Sequence, residues 1–335
     1  MGCPRSVGPE ISLSAAMSRT TPPAVIVGNR EVLRQAAKDS GLSVEKVEAL
    51  ASYDPDEGAF RGIRIQETGP ELKANARLWG RPSPRDGVAQ LLYVEEGFQI
   101  AKREGWSLVT APVSKEVIAR SGLGRARKFR GHTEWLEELD GAPHSVMCFA
   151  SPRLATSLVT THVPVRQLSK LITPELVCTS TLELVDLLCR TKPRKRPHIA
   201  VSSLNPHGGE GKLLGDEEAR SILPGILRAQ KIVGRRAKIE GPVGAETAYR
   251  KAAAGAYDGV VAMYHDQATI PMKLLDFGGA VNITQGLSIV RTSVDHGTAY
   301  DIAGRGVADA RGMKEAMKWG ASLARVKRRI PHDRF

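Results

Sequence analysis

Short apolar runs alternate along the chain with longer segments whose apolar residues recur at helical spacing, and that alternation predicts an α/β fold. AVIV (24–27), SLVTA (107–111), SVMCFA (145–150), ATSLVTT (155–161), HIAVSS (198–203), GVVAM (259–263) and VNIT (281–284) read as strands. Segments 30–39, 84–104, 174–189, 216–230, 245–254 and 309–327 read as helices. Start signals support two of these: Thr173 and Pro174 precede ELVCTSTLELVDLL, and Asp216 precedes EEARSILPGILRAQ. Each places a capping oxygen or an N1 proline ahead of an apolar face. Near the beginning, Gly2 and Pro4 suit a turn and Pro9 the first position of a following helix.

Helices placed after strands bring strand ends to a common edge, and in open α/β sheets ligands gather at the carboxyl ends of strands. Polar residues directly after a predicted strand are therefore candidates for chemistry. Three histidines share that context: His162 follows LVTT, His207 follows AVSSLNP, and His265 follows VVAMY and precedes Asp266. Neutral imidazole is a common metal ligand, and three with an open position make a catalytic site for a divalent ion. Their spacing is not local, however, and no HExxH or CxxC anchors them. On spacing alone, histidines hydrogen-bonded in loops remain the simpler alternative. The stretch GGEGKLLG (208–215) is not a phosphate loop, since Leu213 follows Lys212, and Leu214 breaks the GxGxxG pattern. There is no GxSxG elbow for a nucleophilic serine.

Composition narrows the class. The chain has 335 residues, enough for one large α/β domain or two sharing a cleft, and its 41% hydrophobic and 25% charged residues exclude disorder and fibrous repeats. No apolar run approaches the ~18–20 residues needed to span a bilayer, and the start lacks a signal layout, so a cytoplasmic protein with no membrane partner is expected. Cys3, Cys148, Cys178 and Cys189 form no CxxC pair and read as free thiols. The net charge of +12 is concentrated in RARKFR (125–130), TKPRKRPH (191–198) and RVKRRIPHDRF (325–335). Without interleaved aromatics or a groove-entering motif, these runs read as solvated loop charge that attracts a small anionic substrate, and not as a nucleic-acid surface.

Taken in order, GHTEWL (131–136), TTHVPV (160–165), SSLNPHGGEGKLLGDEE (202–218), GPVGAETAY (241–249), AMYHDQATIPMKLL (262–275) and VNITQGLSIVRTSVDHGTAYDIAGRG (281–306) form a specific series. It resembles the 4-hydroxythreonine-4-phosphate dehydrogenase family of vitamin B6 biosynthesis, from about Gly2 to the C-terminal helix. The resemblance implies an isocitrate/isopropylmalate dehydrogenase-like fold, with two α/β domains flanking a central active-site cleft. The first would be 1–130 plus 275–335 and the second, carrying most metal ligands, 131–274. A homodimer with the active site at or near its interface is also implied. One divalent ion (Zn, Mg or Co) would be held by His162, His207 and His265. Substrate contacts carry over to His132, Thr133, Lys273, Asn282 and Arg291, donors suited to the oxyanions of a phosphorylated small molecule. Both Lys273 and Arg291 lie among apolar residues, which argues against plain surface charge. DHGTAYDIAGRG (295–306) resembles the adenosine-side loop of isopropylmalate-type dehydrogenases, which assigns His296 and Gly297 to NAD or NADP. Asp266 and Glu246 are the candidate catalytic carboxylates.

The implied reaction oxidises the secondary hydroxyl of 4-hydroxythreonine 4-phosphate to a β-keto acid, which loses carbon dioxide to give 3-amino-2-oxopropyl phosphate. Two alternatives stay open: a paralogous dehydrogenase of phosphorylated four-carbon sugar acids, and a non-oxidative three-histidine metallohydrolase. The chain also departs from the family's pattern. Cys3 and Ser6 stand at the usual Asp and Gly positions, with no strand before them, so an N-terminal truncation is expected. Glu246 replaces a usual Asp, and Ala268 a common Gly.

Overall fold

The computed structural model describes residues 1–192, 196–276 and 278–330. Parts of the basic runs 191–198 and 325–335, and His332, lie outside the described residues. In chain order the strands are β1 (Ala24–Gly28), β2 (Ala51–Ser52), β3 (Ile63–Glu67), β4 (Ser107–Thr110), β5 (Val146–Ala150), β6 (Ala155–Leu158), β7 (His198–Ser202), β8 (Lys238–Val243), β9 (Gly259–Ala262), β10 (Val281–Gln285) and β11 (Val290–Ser293). The chain divides into two units, Met1–Ala142 with Leu287–Ala324, and Pro143–Gly286 with the segment from Arg325.

In the first unit β1, β3 and β2 form a parallel sheet in that order, and β4 pairs in parallel with β11. Its longest helix, Pro84–Glu104, starts at a capping box between Ser83 and Asp86 and ends at Gly105 in the left-handed region. Each device satisfies backbone groups that a helix end leaves unpaired. Leu91, Val94 and Phe98 of this helix share a core with Trp135 and Leu136 of helix His132–Asp140 and with Ile289. Arg5 and Asp86 form a buried ion pair at 3.0 Å beneath the start of the long helix.

The second unit orders its strands β10-β5-β6-β9-β7-β8. β10/β5 and β5/β6 are antiparallel, while β6/β9, β9/β7 and β7/β8 are parallel. Every residue of β5, β6 and β9 is buried. That explains the unbroken runs VMCFA and GVVA, since strands covered on two faces need no alternation.

Helix Pro174–Thr191 carries two fully buried carboxylates, Glu183 and Asp186. The segment from Arg325 answers them. One guanidinium nitrogen of Arg328 spans Glu183 at 2.8 and 2.7 Å, and the backbone N–H groups of Arg329 and Ile330 donate to Asp186 at 2.5 and 3.0 Å. His144 Nε2 completes the cluster, 2.9 Å from Glu183.

The division differs from the expected 1–130 plus 275–335 and 131–274 in three places, each with a visible cause. Helix His132–Asp140 shares the apolar core of the first unit. Residues 281–285 pair with β5 in the second. The segment from Arg325 is bound to Glu183 and Asp186 there. Helix His265–Leu275 and strands β2, β3, β8 and β11 were not expected from the apolar pattern. All four cysteines are free, and among the described residues no helix is long and apolar enough to cross a membrane.

Breaking a buried ion pair strands the remaining charge at about 3–5 kcal/mol. Because Arg328 keeps some solvent contact, R328A is expected at the low end, a loss of about 3 kcal/mol. Equilibrium urea unfolding of R328A beside wild type measures it.

Candidate functional site

Because β6, β9 and β7 are parallel neighbours, their carboxyl ends lie at one edge of the second unit's sheet. Their exits are laced together. Thr160, leaving β6, donates from its backbone N–H (3.2 Å) and its hydroxyl (2.7 Å) to the carbonyl of Met263, which leaves β9. The Gln267 amide accepts from Met263 N–H at 2.7 Å and from the Ser202 hydroxyl at 2.8 Å, and donates to the Ser203 carbonyl at 2.9 Å.

On this edge the rings of His162 and His265 stand 5.5 Å apart, tilted by 41°. His265 is the first residue of helix His265–Leu275, one residue beyond Tyr264, so a helix start holds it and not the strand itself. Its Nδ1 meets Asp266 Oδ1 at 2.7 Å. A carboxylate can only accept, so Nδ1 carries a proton, and in the neutral ring Nε2 is then the atom with the lone pair, the tautomer a metal ligand needs. The His265 side chain is 37% exposed and His162 is exposed, so a solute can reach the pair.

His207 lies five residues past β7, in Pro206–Lys212. Residues 207–211 take φ values of 52, 65, 80, 44 and 64°, and Lys212 takes 81°. Glycine at 208, 209 and 211 suits this left-handed run, but His207, Glu210 and Lys212 each bear a cost of about 1–2 kcal/mol. The edge thus brings His162 and His265 together. Among the described residues no group of three or more His, Cys, Asp or Glu side chains gathers to hold a metal ion. The pair alone, with one imidazole oriented by a carboxylate, is a donor set that fits a divalent ion such as zinc.

The other candidates in this unit are dispersed. Glu246, in the first turn of helix Ala245–Ala253, is exposed and accepts from the Thr247 hydroxyl and from Arg250 Nε, both at 2.9 Å. Those bonds hold its carboxyl below the usual range. Lys273 is exposed: helical spacing turns Met272 inward and Lys273 outward, so apolar neighbours in sequence did not imply burial. Asn282, on β10, has a buried Oδ1 without a hydrogen-bond partner among the described residues. Such a group costs about 1–3 kcal/mol unless something pairs with it, and therefore points to a ligand.

In the first unit Arg291 on β11 is only 4% exposed and donates to the Thr110 hydroxyl from Nη2 at 2.7 Å and from Nε at 3.2 Å. Burial lowers its pKa to about 10, against the opposing charge of Glu134. His132 and Thr133 open helix His132–Asp140, and His132 Nε2 is buried with no partner among the described residues. Burial, then the charges of Arg291 and Lys115, push the imidazole well below its ordinary value of 6.5. A neutral imidazole beside a desolvated guanidinium is a setting for an anion. Lys115 and Glu134 were missed from sequence, although Lys115 follows β4 closely and the strand-end rule could have found it. Both crowd Gly131, where a Cβ would lie 2.6 Å from Glu134 Oε2 and 3.5 Å from Lys115 Nζ. His296 and Gly297 are exposed, and His296 Nδ1 lies 3.0 Å from the Gly297 carbonyl.

The His132 shift makes stability depend on pH. Below about pH 6.5 the unfolded imidazole gains a proton that the folded one refuses, so stability present above that pH falls as pH drops. H132N should lack this component. Urea unfolding of wild type and H132N at pH 7.5, 6.5 and 5.5 would show the two curves diverging toward acid.

A profile of the family described as pyridoxal phosphate biosynthetic protein PdxA matches residues 20–320. The 4-hydroxythreonine-4-phosphate dehydrogenase of Geobacter metallireducens is 39% identical over 335 residues, covering 98% of this chain and 95% of its own. The D-threonate 4-phosphate dehydrogenase of Cupriavidus necator is 36% identical over 329 residues, covering 97% and 96%. The crystal structure of 4-hydroxythreonine-4-phosphate dehydrogenase from Klebsiella pneumoniae superposes with a TM-score of 0.79 at 32% identity, covering 97% of this chain and 96% of that one.

Proposed function

We propose a function from one premise: this chain belongs to the PdxA family of pyridoxal phosphate biosynthetic proteins. It is a dehydrogenase that oxidises the secondary hydroxyl of 4-hydroxythreonine 4-phosphate with NAD or NADP, after which the β-keto acid loses carbon dioxide to leave 3-amino-2-oxopropyl phosphate. The observation that carries this reading is the His162–His265 pair at the carboxyl edge of parallel strands, with Asp266 setting the tautomer of His265.

His162 and His265 would hold a divalent ion, with His207 as the third ligand. Bound there, the ion would supply polarisation of the substrate oxygens, and NAD or NADP would supply the hydride acceptor. The chain's own residues bind and orient. Arg291 offers a buried fork to an oxyanion, and neutral His132 and Thr133 begin a helix whose N–H groups favour negative charge. Lys273 and Asn282 are assigned further substrate contacts by the resemblance, and His296 and Gly297 the cofactor. Asp266 and Glu246 are the carboxylates available for the hydroxyl proton. The homodimer implied by the resemblance is consistent with the exposed Leu213, Leu227, Ile270 and Leu274 of the second unit, which supply apolar surface.

A second reading has its own support, since relatives named D-threonate 4-phosphate dehydrogenase match over nearly the same length. The two substrates differ at the amine.

NAD(P)H absorbance with each phosphorylated substrate, with and without a chelator, is the test. Reduction of the nicotinamide with the aminated substrate, abolished by chelation, is expected; none with either substrate would sink the dehydrogenase reading. R291K replaces a planar fork by a point charge, and a lost charge-assisted hydrogen bond of about 1.5–3 kcal/mol should raise KM about tenfold or more. Unchanged steady-state kinetics would remove Arg291 from the site.

A further inference from the structure

We propose that Glu218, with Glu217 beside it, is a positioning residue that determines where His207 sits by clamping the stem of the Pro206–Lys212 segment. The proposal rests on the reading of His207 as a metal ligand.

The clamp is built from one amide between two carboxylates. Glu218 Oε1 accepts the backbone N–H groups of Leu204 and Asn205 at 2.9 and 2.8 Å. The Asn205 side-chain nitrogen sends one proton to each acid, to Glu218 Oε2 at 3.0 Å and to Glu217 Oε2 at 2.7 Å. Ser169 donates to the other oxygen of Glu217, and the Ser203 hydroxyl donates to the Asn205 carbonyl at 3.0 Å. Glu218 is 6% exposed. A buried carboxylate is costly unless hydrogen bonds compensate it, and here all three protons come from the two residues just before Pro206 and His207.

The far end of the segment closes on the same acids. A Cβ at Gly209 would lie 2.7 Å from the Gly215 carbonyl and 2.9 Å from Glu218 Oε2. One at Gly215 would lie 2.5 Å from Asn205 Nδ2 and 2.6 Å from Glu217 Oε2. Glycine at these positions lets the backbone pass close over the clamp. With Leu204 and Asn205 fixed, the position of His207 is left to segment 206–212 alone. The chain enters the unfavourable left-handed backbone of His207 two residues after the clamped Asn205.

The experiment titrates the protein with Co²⁺, followed by its visible absorption, for wild type, H207A, E218Q and the H207A/E218Q double variant, with thermal midpoints alongside. In E218Q an NH₂ group faces the donating amide of Asn205. The affinity for Co²⁺ should fall about 10–100-fold, the range for groups that orient a ligand from behind. H207A should weaken binding too, and E218Q should add little in the H207A background, because the clamp acts through His207. If E218Q fails to fold, E217A, which removes the second acceptor of the Asn205 amide, should give a several-fold loss with the same dependence on His207. Binding by E218Q equal to wild type, or an equal loss in the presence and absence of His207, overturns the clamp. Wild type that takes up no Co²⁺, or H207A that binds as tightly as wild type, overturns the metal reading and the clamp with it.

Discussion

The candidate site of the second unit depends on a constraint of parallel pairing: neighbouring parallel strands must release their chains at the same edge. β6, β9 and β7 meet it, and Gln267 makes it rigid by joining the exits of β9 and β7 through one amide. Residues more than a hundred positions apart, His162 and His265, have their rings within 5.5 Å because β6 and β9 pair in parallel and Thr160 binds the Met263 carbonyl at their exits, and not because of any local motif. The polar groups that do it leave few backbone donors for anything else, which is how a buried edge can remain satisfied.

Much of this was legible in the sequence for a simple reason. Strands covered on two faces are written as unbroken apolar runs, and VMCFA and GVVA carry no competing signal. The helix that begins at Pro174 was legible because its cap, Thr173, is local. The strands that escaped are polar or interrupted: β8 contains Gly241 and Pro242, and β11 reads VRTS. Helix His265–Leu275 escaped because Pro271 sits inside it and its first turn is polar.

At the level of the site, residue types were legible and conformations were not. The three strand-end histidines could be named from their context, and the resemblance supplied the others. The placement of His207 could not be read, since it takes a left-handed backbone beyond Asn205, and the bonds of Asn205 to Glu217 and Glu218 join residues whose relation is visible only once both are folded. Lys273 shows the opposite error: apolar neighbours in the sequence are not neighbours around a helix. Arg291, by contrast, is buried on a strand, where apolar residues on either side do imply cover.

The connection between helix Pro174–Thr191 and the segment from Arg325 bears on how the chain matures. Glu183 leaves the ribosome 145 residues before Arg328, the cation that neutralises it. Throughout that interval the nascent second unit holds Glu183, destined for its interior, with its main counter-charge not yet made, while Asp186 already has Arg190 one turn away. Hydration of Glu183 opposes premature docking of the helix, so the order of synthesis favours closure of this core only after the first unit's last helix has been translated.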